Sequence, residues 1–336
     1  MIYDCFTFFN ELDLLEIRLN VLKDVVDRFV LVEATQTFTG RPKPLYYKEN
    51  AARFAAFADR IIHVVVDDFS AAEAGRTPRE RAWMSESIQR KAIARGLVGA
   101  RPDDTIIISD LDEIPRPESV PLAVGRPGIT KFDLTCHFCF INRREYYPRG
   151  GAHTPQAVNY ATFMNPRTYA HFKYSQFVLK EVNACPSATI IRYRKAHRTI
   201  FNAGWHFTWL GGVDAIVKKL KSFAHTEYSG ADIASPELVK ARLENNESIF
   251  GFDRGEKFFF DRLDGSYPDY LVRNKEKYAA LFYPVSDEYL ERTRPVKEYY
   301  NRLYHFKLQV RRWVPKPLRK PVIVCWTRCN PPPDAV

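Results

Sequence analysis

Three acidic residues follow directly after an apolar run in the middle of the chain. An isoleucine run at 106–108 leads to Asp110, Asp112 and Glu113, and Pro115 comes two residues later. A run that is apolar at every position is typical of a strand buried on both faces, and the proline turns the chain at its end. Hard divalent cations prefer oxygen ligands and leave coordination positions for phosphate. The sequence therefore predicts that Asp110 and Asp112 hold one metal ion, Mn²⁺ or Mg²⁺, beside a diphosphate.

Asp-x-Asp is a short pattern, and other chemistry fits it. Phosphatases of the haloacid dehalogenase type also place Asp-x-Asp after an apolar strand, and the first aspartate, here Asp110, is then the nucleophile. Those enzymes normally have Thr or Val two residues after the second Asp and carry the motif on the first strand. Here Ile114 occupies that position, and three strand candidates come earlier. A third interpretation is a solvated acidic turn that closes a strand.

Strand and helix patterns alternate over residues 1–125. Strands are predicted at 2–9, 28–34 and 60–66, before the Asp-x-Asp strand, and helices at 10–26, 48–58 and 78–94, the first of them capped by Asn10. Such alternation implies right-handed crossovers and a mostly parallel sheet covered by helices. Open sheets of this kind bind ligands at the carboxyl ends of their strands. Neither a Gly-x-Gly-x-x-Gly after the first strand nor a P-loop is present, which disfavours those nucleotide-binding folds.

Residues 126–293 are rich in aromatic side chains and less regular. The predicted elements are strands at 129–141 and 188–194 and a helix that begins near Val213. Trp205, His206 and Trp209 combine rings with hydrogen-bonding edges, as a sugar site requires, because sugar C–H faces stack on aromatics while hydroxyl groups need directional partners. The same residue types would serve equally well in a core strand.

Several sequence landmarks occur in order from Tyr3 to about Pro284. They are 11–19 (ELDLLEIRL), 24–27 (DVVD), Glu33, 38–40 (FTG), 42–45 (PKPL), 101–104 (RPDD), 110–115 (DLDEIP), 203–206 (AGWH) and 270–274 (YLVRN). On these landmarks the chain resembles glycosyltransferase family 17. The resemblance implies a GT-A-type fold, divalent metal dependence, inversion at the anomeric carbon and a UDP-sugar donor, expected to be UDP-N-acetylglucosamine, with a saccharide or glycoconjugate as acceptor.

We therefore predict an α/β, GT-A-like fold with a mostly parallel central sheet covered by helices. Residues 1–125 are expected to form the half that binds the nucleotide sugar. Residues 126–293 are expected to form the aromatic-rich acceptor half of the same domain, and residues 294–336 a basic C-terminal extension.

The chemistry of such a reaction requires particular roles at the donor site, and the sequence supplies candidates. Asp112, with Asp110 direct or through water, would hold the metal that stabilises the departing diphosphate, and His206 is a further metal or diphosphate contact. The candidate donor-binding residues are Glu33, Lys43, Gln89, Arg90, Asp110 and Trp205.

Inversion also requires a carboxylate base that takes the proton of the acceptor hydroxyl as its oxygen attacks opposite the leaving group. Glu227 is the first candidate because it follows the Gly-Trp-His segment closely, and Asp214 and Asp232 stand behind it. Taken alone, each of these three is more readily interpreted as a surface acid.

The basic residues are unevenly distributed. The chain of 336 residues has a formal net charge of +10, and the segment after Arg294 carries most of it, interleaved with aromatic residues. This pattern suits either a peripheral helix on an anionic membrane surface or a terminal helix that packs its aromatic side on the domain. Nucleic-acid binding is the non-enzymatic alternative, but the basic segment lies outside the Asp-x-Asp region and contains no nucleic-acid motif.

The amino terminus enters a strand at Ile2 without a basic region or an apolar leader, and no stretch approaches the roughly 18 apolar residues of a membrane span. Eukaryotic members of the family carry an amino-terminal membrane anchor and stem. We therefore expect a cytoplasmic protein, at most peripheral to the inner face of a membrane, for which a Golgi location and an N-glycan acceptor are not implied.

Overall fold

The computed structural model describes residues 1–73, 76–146, 155–164, 197–251 and 257–333. The predicted strand at 188–194 lies outside these residues. The described strands are β1 (Ile2–Phe8), β2 (Arg28–Ala34), β3 (Ile61–Val66), β4 (Thr105–Asp110), β5 (Glu113–Pro115), β6 (Thr130–Phe132), β7 (Thr135–Phe138), β8 (Arg143–Glu145), β9 (Gln156–Asn159), β10 (Arg198–Ile200), β11 (Gly204–Thr208) and β12 (Phe258–Phe260). The α-helices are α1 (Leu12–Leu22), α2 (Tyr46–Glu49), α3 (Ser70–Glu73), α4 (Pro78–Lys91), α5 (Tyr160–Met164), α6 (Gly212–Leu220), α7 (Pro236–Glu244), α8 (Asp269–Arg273), α9 (Asp287–Trp313) and α10 (Arg319–Cys329).

The larger sheet has the strand order β10-β6-β9-β4-β1-β2-β3. The β1, β2, β3 and β4 pairings are parallel, as is β10 with β6, while β9 runs antiparallel to β4 and β6. This arrangement confirms the predicted α/β architecture with a mostly parallel central sheet. Strand β4, which carries the Asp-x-Asp sequence, lies between β1 and β9, so its carboxyl end is central in the sheet.

The second sheet was not anticipated from the sequence. It has the order β12-β8-β7-β11-β5 and is mostly antiparallel. The predicted single strand at 129–141 is wrong, because β6 belongs to the larger sheet and β7 to the smaller one. The chain changes sheets at Asp133, whose N–H donates to the carbonyl of Ile200 and whose carboxylate accepts from the Tyr304 hydroxyl at 2.5 Å. The apolar pattern continues through this turn because the strands on both sides of it are buried.

The helix boundaries also differ in detail from the prediction. Asn10 does not cap α1: the residue before the helix is Glu11, and its side chain makes no capping hydrogen bond. The predicted helix at 48–58 is α2 followed by a 3₁₀ helix, Ala51–Phe57. Helix α4 begins after Thr77, whose hydroxyl and Glu80 form a reciprocal capping box, and ends at Lys91.

Side chains alternate between two apolar cores along β1. Phe6 and Phe8 pack with α1 on one face, and Tyr3 and Cys5 pack with β2 and the 3₁₀ helix Ala92–Leu97 on the other. Burial on both faces explains why the strands of this sheet are largely apolar, with buried exceptions such as Asp4 and Glu33. No helix within the described parts of the chain is long and apolar enough to cross a membrane.

Candidate active site

A cavity of about 270 Å³ opens beyond the carboxyl ends of β1, β2 and β4. Its walls come from 7–9, 36–38 and 110–113 at the ends of β1, β2 and β4, and from one face of α4. The opposite side is formed by His206, Thr208, Trp209, Lys219 and 222–225. Helix α4 contributes Trp83, Glu86, Gln89 and Arg90. The cavity therefore lies where open α/β sheets bind ligands, and the Asp-x-Asp turn forms part of its wall.

The acidic turn, residues 110–113, joins the two sheets. Strand β4 ends at Asp110, and β5 starts at Glu113 and pairs antiparallel with β11, which sets His206 opposite Glu113. The N–H of Phe207 also donates to the carbonyl of Asp112 at 2.8 Å. The Gly-Trp-His segment is therefore held against the Asp-x-Asp turn by backbone pairing.

Asp110 is paired with an arginine from α4. The guanidinium of Arg90 donates to the Asp110 carboxylate at 2.6 Å and to Glu86 at 2.9 Å. Burial opposes the charge of Arg90, but Asp110 and Glu86 raise the pKa of its guanidinium further above the ordinary value. The Asp110 side chain keeps 35% of its surface exposed, so a ligand in the cavity can reach it.

Asp112 is paired with two cationic groups from other elements. Lys219 of α6 donates to Oδ2 at 3.1 Å, and Nε2 of His206 lies 3.5 Å from Oδ1. Burial acts to raise the pKa of Asp112, but the charges of Lys219 and His206 hold it well below the usual range. Burial likewise acts to lower the pKa of His206, yet Asp112 raises it well above the ordinary value.

The buried side chain of Glu113 binds the backbone of the acidic turn. Its Oε2 accepts a hydrogen bond from the N–H of Asp110 at 3.0 Å. Its Oε1 is buried and has no hydrogen-bond partner among the described residues. Burial and the nearby Asp110 carboxylate raise the pKa of Glu113 to about 7. An unsatisfied buried oxygen at the cavity wall is suited to a cation or a hydrogen-bond donor brought by a ligand.

The oxygens of Asp110, Asp112 and Glu113 have the chemistry that a hard divalent cation requires. Within the described ranges, no group of three or more His, Cys, Asp or Glu side chains is already arranged to hold a metal ion. Arg90 forms an ion pair with Asp110, and Lys219 forms one with Asp112. Protonated His206 is a hydrogen-bond donor and not a metal ligand. The carboxylates thus fit a metal that displaces these cations, and His206 fits as a ligand only after losing a proton.

The backbone of the acidic turn is fixed by a buried arginine. Arg18 of α1 is fully buried and pairs with Asp4 at 2.6 Å. The same guanidinium donates to the carbonyls of Asp110, Leu111 and Glu113 at 3.0, 3.0 and 2.8 Å. Arg18 therefore orients the turn that presents the two aspartates, although no sequence pattern singled it out.

The predicted donor-binding residues divide into two groups. Lys43, Gln89, Arg90 and Asp110 line the cavity. Glu33 is fully buried. Its carboxylate accepts a hydrogen bond from the N–H of Tyr47 at 3.0 Å, and it lies 3.0 Å from Nε2 of His63 and 3.7 Å from the Lys43 ammonium. The predicted contact of Glu33 with the nucleoside stays a prediction, which this burial does not favour.

Trp205 is also outside the cavity lining. Its ring N–H donates to the carbonyl of Ser266 at 2.9 Å, and the Arg116 guanidinium lies 4.1 Å from its ring centre. The aromatic residue of this segment that does line the cavity is Trp209. A binding role for Trp205 therefore stays a prediction, while the core interpretation describes its observed contacts.

The three predicted bases occupy different surroundings. Asp214, in the first turn of α6, and Asp232 are exposed, and neither lines the cavity. Glu227 lies in a short 3₁₀ helix and accepts from His225 at 2.8 Å, with Arg79 at 3.6 Å. His225 lines the cavity, and Glu227 contacts the His225 side chain without lining the cavity itself. The assignment of the base among these residues stays a prediction.

Sequence reasoning missed two cavity residues that meet each other. Lys219 lies 3.5 Å from Glu11 as well as 3.1 Å from Asp112. Glu11 stood inside a family landmark, but nothing in its position along the chain predicts that it approaches a lysine on α6. The available signal was indirect: carboxylates gathered in a partly buried site need cationic partners, and Lys218 and Lys219 follow the Gly-Trp-His segment.

Comparison with known proteins identifies the family of this chain. The model of glycosyltransferase family 17 matches residues 1–186, which is more than half of the chain. The chain is therefore a member of glycosyltransferase family 17.

Curated relatives include the beta-1,4-mannosyl-glycoprotein 4-beta-N-acetylglucosaminyltransferases of Homo sapiens and Rattus norvegicus, each 33% identical to this chain over 144 residues, and that of Mus musculus at 32%. The aligned segment covers 41% of this chain and about a quarter, 25%, of each relative. The similarity thus concerns one part of those longer proteins.

Proposed function

We propose that this protein is an inverting, metal-dependent glycosyltransferase that moves N-acetylglucosamine from UDP-N-acetylglucosamine to a saccharide or glycoconjugate acceptor. The observation that carries the proposal is the acidic Asp110–Glu113 turn at the carboxyl end of β4, facing a cavity together with Arg90 and Lys219. Family membership and the transferase names of the relatives support the sugar-transfer class. Those names also make a β-mannoside a reasonable first acceptor to test.

The donor would lie across the ends of β1 and β4. Phe8, Phe9 and Phe38 offer apolar surface for the nucleoside, and Lys43 offers a positive charge beside them. The Lys43 ammonium lies 5.7 Å from the centre of the Phe9 ring. Burial lowers the pKa of Lys43 below its ordinary value, although the carboxylates of Glu33 and Glu11 act in the opposite direction. We expect this end of the cavity to bind the nucleoside and the acidic turn to face the diphosphate.

The leaving group of this reaction is a diphosphate on which negative charge develops. Asp110 and Asp112 would hold a divalent cation, which when bound supplies Lewis-acid stabilisation of that charge. Arg90 and Lys219 are the cationic side chains nearest to those carboxylates, and a diphosphate would give them new partners. Glu113 and Arg18 keep the turn in place throughout, since both bind its backbone.

The proposal is tested by a donor screen that measures UDP release from UDP-N-acetylglucosamine, UDP-glucose and UDP-galactose, with and without Mn²⁺. We expect UDP-N-acetylglucosamine to be preferred and activity to require the cation. Equal activity after treatment with a chelator would remove metal dependence from the proposal, and no binding of any UDP-sugar would remove the donor class.

The Asp112→Asn variant tests the metal ligand itself, because it removes charge while keeping shape. We expect at least about a hundredfold loss of turnover, the scale on which one strong electrostatic contact to the transition state acts. UDP affinity in Mn²⁺ should fall as well. Glu118→Gln, on the 3₁₀ helix Pro117–Ser119 outside the cavity lining, is the matched control. Turnover near the wild-type rate would reject the assignment, and a phosphorylated Asp110 would favour the phosphatase alternative.

A further inference from the structure

A second cavity, of about 340 Å³, adjoins the first on the side of α1. Residues 10–14, Arg53, 209–211, Ala215 and Leu281 contribute to its walls. Glu11, Trp209 and Lys219 line both cavities. The two spaces therefore share one wall, and that wall also contacts Asp112 through Lys219.

Trp209 takes an unusual backbone conformation in this wall. Its φ is 62°, in the left-handed region that large side chains rarely adopt, and Gly211 and Gly212 follow with φ of 100° and 78°. The Trp209 ring is packed edge-on against Phe223 and Phe250, with ring centres 5.2 and 5.5 Å away. Sparsely populated conformations persist where the surroundings enforce them and are concentrated at binding sites.

The lining of the second cavity has the chemistry of a saccharide site. Trp209, Leu12 and Leu210 supply apolar surface for sugar C–H faces. Asn10, Asp13 and Arg53 supply hydrogen-bonding groups, and Arg53 and Asp13 pair at 2.6 Å at its partly exposed edge. Apolar walls with a few directional polar groups are typical of sites for small, multiply hydroxylated ligands.

Glu11 is the carboxylate that the two cavities have in common among the described lining residues. Its Oε2 accepts from the N–H of Asn10 at 3.1 Å, and its Oε1 lies 3.5 Å from the Lys219 ammonium. The side chain keeps 25% of its surface exposed. Glu11 thus stands where a group in the second cavity would meet a donor held in the first.

We propose that the second cavity binds the acceptor saccharide and that Glu11 is the general base, an inference that rests on the proposed function. The acceptor oxygen forms a bond to the anomeric carbon of the donor sugar as the bond from that carbon to the diphosphate oxygen breaks. The electron pair of the broken bond leaves with UDP, and the acceptor hydroxyl proton passes to the Glu11 carboxylate. This assignment differs from Glu227, which lies outside both linings.

The first experiment compares Glu11→Gln with Glu227→Gln and with Glu118→Gln, the exposed control used above, whose side chain lines neither cavity. Turnover with UDP-N-acetylglucosamine is measured as UDP release, and UDP affinity by calorimetry. Glu11→Gln should lower turnover at least about a hundredfold, the lower end for a positioned base, while the UDP dissociation constant changes less than about threefold. A loss confined to Glu227→Gln would overturn the assignment of Glu11.

The second experiment fills the cavity. Ala215 lines the second cavity and not the first, so Ala215→Phe, or the smaller Ala215→Leu if the first variant is unstable, narrows the acceptor space alone. The probes are p-nitrophenyl glycosides of mannose, glucose, galactose and N-acetylglucosamine in both anomeric forms. For any glycoside that stimulates UDP release, the variant should raise KM at least about tenfold, with the UDP dissociation constant unchanged.

The outcomes separate the two proposals. Failure of the wild-type protein to bind any UDP-sugar contradicts the proposed function. If UDP-N-acetylglucosamine is bound and hydrolysed, but no glycoside stimulates UDP release or Ala215→Phe leaves KM unchanged, the donor proposal stands and the acceptor cavity is rejected.

Discussion

At the scale of single residues, this site depends on charges that are buried together. Arg18, which is itself fully buried, binds Asp4, Ser109 and three carbonyls of the acidic turn. Buried ions are tolerated only when their hydrogen-bonding capacity is used, because desolvation is costly. The function of Arg18 is therefore to fix the direction in which Asp110 and Asp112 leave β4.

Replacing Arg18 should be far more harmful than replacing a surface arginine. We expect Arg18→Met to lower the free energy of unfolding by about 3–5 kcal/mol, since it leaves Asp4 charged and unpaired in the core. The double variant Arg18→Met with Asp4→Leu should recover part of that loss. Arg53→Met, which removes partly exposed pairs, should cost under about 1 kcal/mol. Urea denaturation checks all three, and equal losses for Arg18 and Arg53 would contradict the structural role.

We expect His137 to make the stability of the fold depend on pH. This residue of β7 is buried, and burial followed by the Arg144 charge lowers the pKa of its imidazole to about 3. The unfolded chain binds a proton near the ordinary pKa of about 6.5 while the folded chain does not, so stability is lost as pH falls from there towards 3. By this linkage the loss at pH 5 is about 2 kcal/mol.

A His137→Asn variant isolates this contribution, because the amide does not titrate. Its unfolding free energy should fall less between pH 7 and pH 5 than that of the wild type, by up to about 2 kcal/mol. Thermal or urea unfolding at both pH values measures the difference. Parallel pH profiles for the two proteins would show that His137 is protonated equally in both states.

At the scale of elements, the acidic turn is held in place by the pairing of β5 with β11. Gly204 pairs with Pro115, and a Cβ added at Gly204 would lie 2.2 Å from the carbonyl oxygen of Ile114. This oxygen belongs to the backbone, which cannot move aside as the end of a flexible side chain can. The glycine of the Gly-Trp-His landmark is thus explained by the close approach of two strands, and the same pairing brings His206 beside Asp112.

We expect Gly204→Ala to cost about 1–3 kcal/mol of unfolding free energy, the usual range for overpacking, and to reduce turnover because the acidic turn shifts. Gly265→Ala is the control, since its added Cβ meets nothing within 4 Å. It should stay within about 0.5 kcal/mol of the wild type. If Gly204→Ala matches the control in stability and turnover, the strand contact does not position the site.

At the scale of the whole molecule, the basic C-terminal segment divides into two parts. Residue 294 falls inside α9, where Val296, Tyr299 and Leu303 are buried and Lys297 donates to the carbonyl of Phe260 at 2.7 Å. Helix α10 contains no buried residue, although Trp326 stacks on Phe306. The packing interpretation therefore describes the first part, while the predicted boundary at 294 and the membrane contact remain predictions.

We expect the full chain to sediment with vesicles of phosphatidylglycerol, and a truncation after Val314 to lose that binding while keeping its fold. The removed segment carries Lys316, Arg319, Lys320 and Arg328. Each basic residue contributes on the order of 1 kcal/mol at such a surface, so binding should fade as salt increases. Neutral phosphatidylcholine vesicles are the control. A truncation after Arg294 should instead destabilise the domain, and vesicle binding that survives the Val314 truncation would contradict the prediction.

The sequence by itself determined the order of strands and helices in the first half, the mostly parallel sheet, the Asp-x-Asp turn and the family. These follow from local patterns, because hydrophobic periodicity reports burial and ordered landmarks report descent. The burial of Glu33 and the division of 129–141 between two sheets could not be predicted from the sequence. A buried acid and a turn between two buried strands do not change the hydrophobic periodicity.

Only the tertiary structure decided which distant residues meet. Arg18 reaches the acidic turn because β1 and β4 are neighbours, and Lys219 joins Asp112 to Glu11 because β11 pairs with β5 and α6 follows it. Strand order and the direction of each connection are set by the packing of the whole chain, not by any local segment. The physical reason is that a charge placed between three elements has no signature in the sequence of any one of them.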